Sequence, residues 1–284
     1  MKKRMGYYMK KDDIEKFAKY LAEDEKSKGT IQKYLHDIST FTEWLGSREL
    51  NKEHTVEWKE SLISAGYASV TINSMLSALN SLLKFLGLDE CRVKFLRIQR
   101  RVFCDQKKEL GKEEYRKLLE TARKRGKERL ALLMETICGT GIRVSEVKYI
   151  TVEAVRKGRA DISLKGKIRT ILLPERLCRK LLLFAQKQKT DSGEIFVTAR
   201  EKSLSRHQIW KEMKSLCQYA GVESSKVFPH NLRHLFAVAY YRACGDIVKL
   251  ADLMGHTSIE TTRIYLISTG MEHRKQLEQL GLVT

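Results

Sequence analysis

Only two prolines occur in 284 residues, and apolar side chains return with the period of a helix over most of that length. A chain so rarely interrupted favours helices, because proline is the strongest local break a helix can meet. Ile14, Phe17, Ala18 and Leu21 fall at i, i+3, i+4 and i+7, one face of a helix. Ile31, Tyr34, Leu35, Ile38, Phe41 and Leu45 define a second helix, which Gly46 ends. A shorter one is expected around Thr55–Ser64. After Ser69 as N-cap, Ile72, Met75, Leu76, Leu79, Leu82, Leu83 and Leu86 line a long apolar face before Gly87. Residues 1–90 therefore read as a compact four-helix domain.

Residues 91–109 change character. Arg92, Lys94, Arg97, Arg100, Arg101, Lys107 and Lys108 crowd a stretch of weak periodicity, which reads as a basic linker. It either follows a phosphate backbone or is a solvated loop. A second domain, 110–284, opens with helices over Lys112–Arg123 and Glu128–Ile137. A β-rich island then intervenes, with two β-branched runs either side of Lys165-Gly166-Lys167, between Ala160 and Pro174. That pattern predicts a hairpin. Helices resume over Glu175–Lys187, Ser205–Ala220, Asn231–Cys244, Asp246–Leu253 and the tail. The expected class is mostly α with a small antiparallel β-sheet.

Charge narrows the function. Fifty-four Lys and Arg oppose 35 Asp and Glu, a net charge of +19. A field of that sign draws polyanions, nucleic acid ahead of anionic membrane. No apolar run approaches the roughly 20 residues of a spanning helix, and the basic opening Met1–Tyr8 lacks the apolar stretch of a secretion signal. The cysteines at 91, 104, 138, 178, 217 and 244 include no Cys-x-x-Cys pair. Reduced thiols in a cytoplasmic protein are expected, with no membrane association.

Six residues carry the chemistry. His230 and Arg233 follow Pro229 three positions apart, on one face of a helix whose first turn favours an anion. A guanidinium there matches two phosphate oxygens, and an imidazole can take or give a proton. His230 and His234 also stand at i and i+4, but Asn231 replaces a metalloprotease glutamate and Arg233 would repel a cation. Arg143 follows the Gly139-Thr140-Gly141 turn, with Glu146 placed to orient it. Lys165 occupies the hairpin turn, with Lys167 as a rival two residues on. His256 follows Leu253-Met254-Gly255, and Tyr265 comes nine positions later.

Taken together, Gly141-Ile142-Arg143-Val144-Ser145-Glu146, Lys165-Gly166-Lys167, His230-Asn231-Leu232-Arg233-His234, Leu253-Met254-Gly255-His256 and Tyr265 resemble the tyrosine recombinase (phage integrase, Xer-like) family in order and spacing. The resemblance implies an N-terminal core-binding (SAM-like) domain and a C-terminal catalytic domain. It implies cleavage and rejoining of double-stranded DNA through a 3′-phosphotyrosine intermediate, with no metal, ATP or other cofactor. Tyr265 would be the nucleophile, Arg143 and Arg233 the phosphate clamps, and Lys165 the acid toward the leaving 5′-oxygen. His230 would be a general acid/base and His256 a hydrogen-bond donor to the phosphate. The protein would act as a homo-oligomer, a tetramer on paired sites, with the tail 268–284 (Met271, Leu277 and Leu280 forming its apolar stripe) docking on a neighbouring protomer or, alternatively, covering its own domain. The rivals are type IB topoisomerase-like strand relaxation and a non-catalytic DNA-binding regulator on the same fold.

Overall fold

The computed structural model describes residues 7–98, 109–164, 167–266 and 278–279, with the side chains of Leu164, Lys167 and Leu266 left aside. Its backbone contacts separate into two units, Met1–Arg100 and Arg101–Thr284.

The first unit holds α1 (Lys11–Glu23), α2 (Lys28–Leu45), α3 (Lys52–Ser64) and α4 (Ser69–Phe85). Ser27 accepts from the Thr30 amide to start α2. Asn51 accepts from the His54 amide, and this cap starts α3 three residues before the expected Thr55. Ser69 is the first residue of α4, and Ala68 occupies the cap position. The apolar stripes read from the sequence meet inside, where Phe17, Leu21, Ile38, Phe41, Trp58, Leu76, Leu79 and Leu83 are buried. Each such side chain contributes roughly 1.5–3 kcal/mol on leaving water.

Residues 91–98, expected to begin the linker, are held on this unit instead. Asn80 donates from Nδ2 to the Val93 carbonyl (2.9 Å) and accepts from the Val93 amide (2.9 Å). Seven residues earlier on α4, Asn73 does the same for Leu96, at 3.0 and 2.8 Å. Thr55 donates to the Cys91 carbonyl and Lys59 to that of Lys94. Two side-chain amides thus replace the partner strand that an extended segment lacks. The rest of the expected linker, 99–108, lies outside the described residues.

The second unit begins with α5 (Lys112–Lys124) and α6 (Glu128–Thr140), then a 3-10 turn, Val144–Tyr149, and α7 (Val152–Arg156). The hairpin follows as β1 (Arg159–Leu164) and β2 (Lys167–Leu172), antiparallel, with Leu164 opposite Lys167 and Arg159 opposite Leu172. Ala160, Ile162 and Ile171 face the core, while Ile168 and Leu172 face out. After α8 (Glu175–Lys187) come α9 (Arg206–Lys214) and α10 (Cys217–Ala220), where one helix was expected. Ser215 turns its hydroxyl onto the Glu212 carbonyl at the break, the kind of local bond that competes with a helical ladder. Then α11 (Pro229–Cys244), α12 (Ile247–Met254) and α13 (Ile259–Arg263) lead into a 3-10 turn, Ile264–Leu266. The five-residue α7 and α13 are too short for apolar periodicity to reveal. Among the described residues the fold is mostly helical with one two-stranded antiparallel sheet. Among the described residues no helix is long and apolar enough to cross a membrane. Of the expected tail helix, residues 278–279 alone are described, and they are helical.

Candidate active site

Helix α6 ends in Gly141, at φ +66°. A Cβ there would stand 2.4 Å from the Phe236 ring, so the turn admits glycine alone on both counts. It delivers Arg143 to the cap position of the 3-10 turn, where the Arg143 amide donates to Glu146 Oε2 (2.7 Å) and its Nη1 to Oε1 (2.9 Å). Nη2 reaches the Gly255 carbonyl at 3.1 Å. The orienting role expected of Glu146 is met, and more, because Arg169 of β2 donates to the same carboxylate. Glu146 is 2% exposed. Burial alone would raise its carboxyl, but the Arg143 amide and the two guanidiniums outweigh that and hold it below the ordinary range.

Pro229 at the first position of α11 presets the helical start. Arg233, one turn on, is 3% exposed. It donates to the Gly141 carbonyl and, from Nη2, to the Met254 carbonyl (2.7 Å) and to His256 Nε2 (2.8 Å). Burial, then the neighbouring Arg143, lowers its pKa to about 10; it stays cationic at neutral pH. A guanidinium has no acceptor, so His256 Nε2 accepts and the ring proton sits on Nδ1, 2.8 Å from Thr262 Oγ1. Thr262, on α13, is fully buried. Both nitrogens of His256 are therefore engaged within the protein. In this arrangement the ring accepts from Arg233 and donates to Thr262.

Tyr265 is 7% exposed and sits among three imidazoles. Its ring lies nearly parallel to that of His256, 13° apart at 5.7 Å, and tilted against His230 at 5.5 Å and His234 at 5.4 Å. His234 in turn faces Glu109, 3.6 Å away. His230 stands exposed at the mouth; partial desolvation by the cleft walls, then Arg233 and His234, lowers its pKa. Arg143, His230, Arg233 and Tyr265 line one cleft of about 820 Å³, with Lys148, Arg206, His207 and Trp210 along its wall.

Five of the six residues singled out in the sequence are thus gathered in one place: Arg143, His230, Arg233, His256 and Tyr265. Lys165 lies outside the described residues, as does the side chain of its rival Lys167. Sequence reasoning missed Arg169, Thr262 and the contact of His234 with the Tyr265 ring. Arg169 had one available signal: it stands in phase with Ile171 on the inward face of an alternating strand. Among the described residues no group of three His, Cys, Asp or Glu side chains is placed to hold a metal ion.

A helical first unit and a second unit that gathers two arginines, histidines and a tyrosine beside a β-hairpin define the two-part architecture of a tyrosine recombinase. The second unit matches the phage integrase family over residues 108–270, and the first matches the phage integrase N-terminal SAM-like domain over residues 14–88. Tyrosine recombinase XerA of Pyrococcus furiosus is 31% identical over 97% of this chain and 96% of its own. Tyrosine recombinase XerD of Vibrio cholerae is 25% identical over 88% and 89%. The fold resembles that of a lambda integrase tetramer bound to a Holliday junction, with TM-score 0.73 at 16% identity over 92% of this chain and 78% of that one. It also resembles XerH bound to its difH substrate, with TM-score 0.67 at 21% identity over 94% and 84%. The chain belongs to the phage integrase family of tyrosine recombinases.

Proposed function

We propose that this enzyme is a site-specific DNA recombinase that acts through a 3′-phosphotyrosine intermediate. The observation that carries the reading is Tyr265, held among His230, His234 and His256 in the cleft that Arg143 and Arg233 line. The Tyr265 oxygen attacks the scissile phosphorus and its proton passes to His230. The bond from phosphorus to the 5′-oxygen breaks, and Lys165 supplies the proton that makes the 5′-hydroxyl. Arg143 and Arg233 carry the charge that builds on the non-bridging oxygens, with His256 keeping Arg233 in place. The phosphotyrosine conserves the bond energy for rejoining, so the exchange needs no ATP, and two guanidiniums and an ammonium occupy the charge-neutralising place a metal has elsewhere. The partner is double-stranded DNA, taken up by a homo-oligomer with four protomers on paired sites, and the tail from Ser268 docks on a neighbour. The protein acts in the cytoplasm, where its DNA is.

Duplexes retained from a random-sequence pool supply the site, and a nicked version of it traps the covalent intermediate for denaturing electrophoresis. Wild-type protein is expected to form the adduct in excess chelator, and Tyr265→Phe to bind without forming it. Binding with no adduct from wild type would leave a non-catalytic regulator. Supercoil relaxation without exchange between two selected sites would leave a topoisomerase.

A further inference from the structure

An arginine on the inward face of a strand needs a reason. Arg169 stands opposite Ile162 and in phase with Ile171, where a buried aliphatic side chain is the expected occupant. Its side chain is only 15% exposed, and its buried Nε–H finds no acceptor among the described residues. Replacing buried ions with apolar groups of similar size is often neutral or stabilising, so stability alone does not account for a cation here. Its contacts do. Nη2 donates to Glu146 Oε2, whose other oxygen holds Arg143. Nη1 donates to the Leu253 carbonyl in the last turn of α12, at 3.0 Å. The side chain crosses Gly255 so closely that a Cβ there would lie 2.5 Å from its Cδ and Nη1.

We propose that Arg169 is a positioning residue of the recombinase centre: a guanidinium supplied by the hairpin that locks Glu146, and through it Arg143, while fixing the turn that carries His256. This deepens the function proposed above and rests on it. The strand that follows the Lys165 turn is thereby fastened to both phosphate-binding arginines. Arg143 is reached through Glu146, and Arg233 through Met254 and His256. A displacement of about 1 Å in such a frame costs on the order of a hundredfold in rate.

Arg169 also adds to the cationic field on His256. That ring is faced by Arg233 and His230 from α11, Arg143 from the 3-10 turn, Arg169 from β2, and Tyr265 and Thr262 from the segment after it. Removal of one cation lets His256 take a proton at higher pH.

The test uses the full chain and the nicked selected duplex, with two variants. Arg169→Lys keeps the charge but cannot span Glu146 and Leu253 together; Arg169→Gln loses the charge. Both are expected to bind the duplex within about twofold of wild type and to form the adduct more slowly, on the order of a hundredfold. The acid limb of the rate profile should move to higher pH in Arg169→Gln alone. Wild-type rates in both variants would overturn the proposal. So would a loss that follows the melting temperature with an unmoved acid limb, which marks a merely structural residue. If wild type forms no adduct, the proposed function fails, and imidazole NMR of His256 still decides the role of Arg169. A titration midpoint raised in Arg169→Gln and not in Arg169→Lys supports it; identical midpoints in all three proteins reject it.

Discussion

Arg233 Nη2 lies 2.8 Å from His256 Nε2, a contact that requires the imidazole to be neutral. Burial, then Arg233, Arg143 and Arg169, lowers the His256 pKa to about 4 from the ordinary 6.5. The unfolded chain protonates this ring below about 6.5, whereas the folded chain resists until about 4. Between those values the unfolded state binds more protons, so stability is complete above the window and falls as pH drops through it. His230 and His234 are lowered too and act in the same direction. Urea midpoints at pH 7, 6 and 5 should fall in wild type and fall less steeply in His256→Asn. Equal slopes would show that His256 is not the group responsible.

Glu146→Gln keeps the shape of the side chain and leaves two guanidiniums around a neutral amide. Breaking a buried ion cluster by removing one partner costs about 3–5 kcal/mol. The expected result is a loss of that size in unfolding free energy at pH 7; a loss under about 1 kcal/mol would contradict a buried carboxylate shared by Arg143 and Arg169.

Gly141→Ala and Gly158→Ala separate backbone from packing. Both glycines have positive φ, +66° and +68°, but a Cβ at Gly158 meets nothing within 4 Å while one at Gly141 meets Phe236 at 2.4 Å. The Gly158 variant should lose the left-handed penalty alone, about 1–2 kcal/mol. The Gly141 variant should lose clearly more in the same denaturation experiment, and equal losses would mean that Phe236 yields freely.

Asn80→Ala removes both bonds that hold Val93. Each buried backbone group left unpaired costs about 1–3 kcal/mol, enough to lift the segment from α4. Brief trypsin treatment with mass spectrometry should reveal new cuts after Arg92, Lys94 and Arg97 in the variant. Cleavage there at the wild-type rate would mean that the amide pairing does not hold the segment.

With a net charge of +19, affinity for the selected duplex should fall linearly in log–log form as salt rises, with a slope near −0.9 for each phosphate neutralised. Fluorescence anisotropy between about 50 and 200 mM salt gives the slope directly. A flat response is the contrary outcome.

Long apolar stripes announced α1, α2 and α4 because local periodicity and packing agree in them. The start of α3 was hidden in one cap, Asn51, and α7 and α13 are shorter than the pattern that would betray them. In the site, Arg143, His230, Arg233, His256 and Tyr265 were legible from order and spacing. The working tautomer of His256 was not, because it is set by Arg233 and Thr262, which approach only in three dimensions. Arg169 was overlooked for a similar reason: its partners Glu146 and Leu253 lie 23 and 84 positions away in the chain.

The two asparagines of α4 also act as a ruler. Seven residues of helix rise roughly 10.5 Å, and the three residues from Val93 to Leu96 advance roughly 10 Å when extended. The two spacings are commensurate, and the chain runs antiparallel to the helix, so both amide pairs form at once without distorting either. One residue inserted between Val93 and Leu96 would put the second pair out of step by a full strand increment. The spacing of the two asparagines along α4 thus sets the length of chain between Val93 and Leu96 to the residue.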